Sequence, residues 1–144
     1  MGCSARSLRF LLAAVAIAGF MSERTLAATE LDMNDRPAMM QLADDLLRCV
    51  ITLNFMALKT QDGHLRMERH DKARDYSIAV LHLYKTLKVL DDEALARRRW
   101  NAMFEHVRWA EENDALDVEM KICSSIEPLQ RELIARWRLE QSGQ

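Results

Sequence analysis

Five sets of side chains in this 144-residue sequence have types and spacing from which chemistry could be built. Arg48 and Lys59 are eleven residues apart, three turns of an α-helix, so they share a face, and Asp71-x-x-Arg74-Asp75 follows downstream. Cations so placed could line a cleft between helices and act on a bound molecule. Histidines at 64, 70, 82 and 106, with Glu68 and Met67 among them, raise the question of a metal. Seven methionines after residue 27 raise that of Met/His haem ligation. Asn54 stands inside a wide apolar arc near Val50, Ile51 and Leu58, where an amide must find a partner. Arg97-Arg98-Arg99 is the one strong cationic run.

Each set also has a structural explanation. The spacing of Arg48, Lys59 and Asp71-x-x-Arg74-Asp75 resembles that of small exported helical enzymes of the chorismate mutase type. That resemblance implies an enzyme with cationic side chains in a bundle cleft. At about 100° per residue, however, Arg48 and Lys59 fall with Gln41, Asp44, Asp45 and Thr52. Leu42, Leu46, Cys49, Leu53 and Met56 fall on another side. Arg48 is thus expected on the polar stripe, in an exposed ion pair with Asp44 four residues earlier.

No H-x-x-x-H or H-E-x-x-H occurs, and His64 and His70 point to different sides of their helix, so the histidines read as exposed. His82 and His106 lie beside the apolar seams. No metal or cofactor is called for: C-x-x-C-H is absent, and methionine fills cores readily. Asn54 reads as an interhelical hydrogen bond that fixes register. The three arginines spread over about 200° and are expected to pair with nearby acids.

The elements that must position these residues begin after an export signal. Arg6 and Arg9 precede an apolar run from Phe10 to Met21, and Thr25 and Ala27 fit the −3 and −1 positions of a cleavage site. About twelve apolar residues span only about 18 Å as a helix, short of the roughly 30 Å of a bilayer core. Residues 1–27 therefore read as a cleavable signal peptide that leaves no stable membrane anchor. The mature chain loses Arg6, Arg9, Arg24 and Glu23 and keeps 17 basic against 21 acidic residues, a net charge of −4. That mild acidity argues against nucleic acid and against an anionic membrane surface. Cys49 and Cys123, the cysteines left in a chain sent to an oxidising compartment, read as one disulfide.

Prolines only at 37 and 128, and glycines after the signal only at 63 and 143, favour long helices. The spacing predicts an all-α fold: a flexible tail over 28–34 and an up-down-up-down four-helix bundle over 35–141. The first helix starts near Asn34 or Asp35 and ends near Thr60. The second runs from about Leu65 to Val89, with Ala73, Tyr76, Val80, Leu83, Leu87 and Leu90 inward. The third reaches Glu112 with Ala96, Trp100, Met103, Val107 and Ala110 inward. Asn113-Asp114 begins the fourth, which Pro128 kinks or restarts, Ser124 and Glu127 having capping-box spacing.

No catalytic constellation emerges, so the expected role is a non-enzymatic binding or accessory module in the periplasm or outside the cell. The partner is another envelope or secreted protein, and a homo-oligomer stays open. A small exported enzyme, or a periplasmic metal or small-ligand sensor, is the alternative. The contact surface is placed on Trp109, which points about 140° from the inward direction of its helix, with Arg98 and Glu105 on its stripe. An exposed tryptophan beside arginine has the make-up of a binding hot spot.

Overall fold

The computed structural model describes residues 31–143 as four helices, with no strand among the described residues. They are α1 (Arg36–Lys59), α2 (Gly63–Thr86), α3 (Glu93–Glu112) and α4 (Leu116–Ser142). The expected signal peptide lies outside the described residues. Residues 31–34 of the expected tail are described. Leu31 is buried in the core, Met33 packs on it, and the Asp35 N–H donates to the Asp32 carbonyl.

Aspartates set the first three helix starts. Asp35 accepts from Ala38 N, with Pro37 in the first turn, where its missing N–H costs nothing. Asp62 accepts from His64 N and Leu65 N, which is why α2 starts at Gly63 rather than Leu65. Asp92 accepts from Leu95 N.

Two helix ends differ from expectation for one reason. Lys88 has φ 57°, and Val89 N bonds the Tyr84 carbonyl while Lys88 N bonds that of Lys85. This is a Schellman closure, and it ends α2 at Thr86 instead of Val89. Asp114 has φ 53°, with Ala115 N on the Ala110 carbonyl and Asp114 N on that of Glu111. Asn113-Asp114 therefore closes α3 and does not begin α4. Pro128 lies inside an unbroken α4, and the Ser124 hydroxyl donates back to the Met120 carbonyl, so no capping box restarts the helix there.

α1 is the central element, packing on all three others, while α2 and α3 make no close backbone approach. Ala43, Leu46, Cys49, Leu53 and Ala57 along α1 are wholly enclosed. α1 and α2 form an antiparallel hairpin clasped at both ends by arginine. Arg36 donates to the Leu87 carbonyl, and Arg66 and Arg69 to the Thr60 and Met56 carbonyls, satisfying groups that a helix end leaves unpaired. Asn54 joins the same pair of helices, donating to Val50 O while its own amide oxygen lies 3.1 Å from His70 Nδ1.

The Cys49–Cys123 disulfide ties α1 to α4, with Cα atoms 5.5 Å apart. Closing a separation of 74 residues contributes about 4 kcal/mol in chain-entropy models. The Tyr76 hydroxyl donates to the Cys123 carbonyl and adds α2 to this junction.

Candidate functional site

Arg48 is not on a solvated stripe. Its side chain is only 17% exposed, and its Nε lies 2.7 Å from Glu119 on α4. Asp45 stands 3.8 Å away, and Glu119 also receives His106 of α3 at 3.1 Å. Asp44, the expected partner of Arg48, instead pairs at 2.5 Å with Arg99 of α3. The helical wheel misses this because α3 and α4 cover the stripe that α1 would present to water as an isolated amphipathic helix. Burial pushes the Asp45 carboxyl above its usual range, an effect that the Arg48 guanidinium opposes.

The other cations of the pattern are spoken for elsewhere. Lys59 pairs with Glu111 on α3 at 2.9 Å, and Arg74 with Asp71 on its own helix at 3.5 Å, largely in solvent. Arg48, Lys59 and Arg74 thus hold separate acids and line neither of the two clefts described below.

An apolar groove opens where α2 and α3 diverge. Leu47 and Val50 of α1 floor it, with Val80 and Tyr84 of α2, and it holds about 400 Å³. Its walls carry Leu81, Leu90 and Trp100, exposed at 55%, 48% and 46%. Leu90 and Trp100 were expected inward and are not. The buried residues of α3, Val107 and Ala110, lie in its C-terminal half, while Leu95 and Ala96 near its start pack on the core only partly buried. In its N-terminal half Arg99 reaches Asp44 of α1 while Arg97 and Arg98 stay in solvent, an attachment through charge that a pattern of apolar spacing alone does not register. At the back of the groove, burial pushes the Tyr84 hydroxyl up to about 12, and that hydroxyl has no hydrogen bond to any described residue.

Trp109 is 58% exposed on the opposite side of α3, nine residues and about half a turn of angle from Trp100. Glu105 is bound by Arg108 at 2.8 Å, and Arg98 makes no ion pair with a described residue. The three residues assigned to partner contact are therefore on the surface, outside the groove. His82 departs from the exposed reading: it is 6% exposed, 3.6 Å from Glu140 near the end of α4. His64, His70 and His106 are exposed. Among the described residues no group of three His, Cys, Asp or Glu side chains could hold a metal. No described helix is long and apolar enough to cross a membrane.

A second cleft of about 330 Å³ lies between α2 and α4, lined by the buried residue Gln130 and by charged side chains of both helices. Comparison with protein-family models, with curated proteins and with solved structures finds no match for the chain.

Proposed function

We propose that this chain is a small exported, non-enzymatic module that binds an amphipathic helix of another envelope or secreted protein in the groove between α2 and α3. The observation that carries the reading is the groove itself: two helix walls that do not meet, an apolar floor, and three large apolar side chains left in water along the rim. An amphipathic helix lays its apolar face into such a lane, and aromatic anchors carry much of the energy. Periplasmic or extracellular action is supported by the Cys49–Cys123 bond, since disulfides persist in oxidising compartments. The up-down-up-down arrangement is supported by the paired residues. Asp44 and Lys59 of α1 meet Arg99 and Glu111 of α3 in the same order, as parallel helices would. Trp109, with Arg98 and Glu105, is proposed as a second contact on the outer face of α3, supported by its exposure.

Photo-crosslinking in the native compartment tests the groove. A crosslinking residue placed at Leu81, Leu90 or Trp100 is expected to capture one and the same protein, while one at the exposed Arg74 does not. Capture of a second copy of this chain, or equal capture from Arg74, would overturn the reading.

A further inference from the structure

We infer that residues 93–103 of α3, the wall of the groove opposite α2, open and close separately from the rest of the bundle, with the Asp44–Arg99 ion pair as the latch that holds them in place for binding. The inference rests on the reading of the groove as a binding surface and concerns what controls that surface.

The stretch lies between two anchors. Before it, Leu87 and Val89 of the connector are buried. After it, Phe104 packs on Phe55 of α1 with ring centres 5.7 Å apart, and Val107 and Ala110 are wholly enclosed. Between the anchors no residue from 93 to 103 is buried. Leu95, Ala96 and Met103 pack on the core only in part, and Trp100 stands in water for nearly half its surface. By contrast α1, α2 and α4 each bury seven or more residues. Local opening is easiest where an element buries little apolar surface.

The polar attachments of the stretch lead the same way. Among the described residues, its one side-chain hydrogen bond to another helix runs from Arg99 to Asp44 at 2.5 Å. Arg97 pairs with Glu93 on its own helix. Around the latch, Asp44 Oδ1, Arg99 Nε and the Tyr84 hydroxyl are enclosed without a hydrogen bond to any described residue. Besides burial, the Asp44 carboxylate raises the Tyr84 hydroxyl and the Arg99 guanidinium lowers it, so the three groups are neighbours. Enclosed polar atoms without partners are costly, and opening the wall admits water to all three. The latch opposes that gain. Without it the wall loosens, and Trp100 no longer stands fixed along one groove with Leu81 and Leu90.

Hydrogen exchange of the disulfide-bonded protein, read by peptide mass, tests the latch without any partner. Peptides from 93–103 are expected to exchange faster than those from 104–112 and from the middle of α1. Asp44→Asn should speed 93–103 by roughly tenfold and leave 104–112 unchanged. Arg99→Gln should match it, and the double variant should exchange no faster than either, because one latch is removed in all three. Lys59→Gln breaks the other ion pair between α1 and α3 and should leave 93–103 as it was. A crosslinking residue at Leu81, on the unaltered wall, should lose most of its capture in Asp44→Asn and in Arg99→Gln. The inference fails if 93–103 exchanges as slowly as the middle of α1, or if Asp44→Asn speeds every helix alike. It fails equally if the two variants add, if Lys59→Gln acts as they do, or if capture ignores the latch. A Leu81 crosslinker that captures nothing even in the unaltered protein would overturn the groove reading, while the exchange results would still decide the latch.

Discussion

The two tyrosines of the chain are both enclosed, and this gives the residue scale a clean reporter. Burial pushes the hydroxyls of Tyr76 and Tyr84 up to about 12. The Glu127 carboxylate adds to the effect at Tyr76, and the Asp44 carboxylate at Tyr84. Both folded values are raised, so the stability they contribute is complete below pH 10 and is lost as pH climbs from 10 through about 12. Alkaline titration followed by tyrosinate absorbance should show no step near pH 10 in the native protein and a two-tyrosine step there in denaturant. A native step near pH 10 would contradict the enclosure of one of them. Glu119 is the other decisive residue, because it faces Arg48 and His106 together. Glu119→Ala is expected to cost about 3 kcal/mol in denaturant unfolding by stranding the Arg48 charge. Arg48→Met combined with Glu119→Leu should recover most of that loss, since an apolar pair needs no mutual neutralisation. A double variant as unstable as the single one would show that the pair itself, and not the stranded charge, carries the stability.

At the scale of elements, both long helices that precede a turn toward α3 or α4 close without glycine. Lys88 adopts φ 57° and Asp114 φ 53°, where an L side chain meets its own carbonyl. Aspartate tolerates this conformation better than lysine does, so the strain is concentrated at the end of α2. Lys88→Gly is expected to raise stability by roughly 0.5–1 kcal/mol, read as a higher denaturant midpoint at unchanged slope. A fall in the midpoint would mean that the Lys88 side chain makes a contact outweighing its backbone strain. The position has no other evident demand, because Val89 and Tyr84 are buried on either side and hold the turn from the core.

For the whole molecule, the question is where it works and what fills its surfaces. The mature protein is expected to begin at Ala28 and to be found outside the cytoplasm with Cys49 and Cys123 oxidised. Intact-mass measurement of the periplasmic or secreted fraction checks both features at once. A mass that retains Met1 to Gly19, or two titratable thiols in the unreduced denatured protein, would refute export or oxidation respectively. The divergence of α2 from α3 matters most at this scale, since it converts a four-helix fold from a closed core into one with an apolar lane along its side.

Residue types and spacing alone were enough for the helices and for the bridge between two of them. Aspartate caps, scarce breakers and apolar periodicity are local signals, legible within a dozen residues. The pairing of Cys49 with Cys123 was legible because they are the two cysteines outside the segment expected to be an export signal. Tertiary structure decided which faces meet water. Arg48 reads as solvated on a wheel of α1, yet Glu119 and His106 close over it from elsewhere in the chain. Trp100 keeps perfect inward spacing, yet stands on a rim because α2 and α3 make no close approach there. Gln130 looks like any polar residue on α4, yet packing leaves it buried at the edge of a cleft. Helical periodicity reports only the angle of a side chain about its own axis. Which neighbour lies at that angle, and how closely, is set by all four helices packing at once.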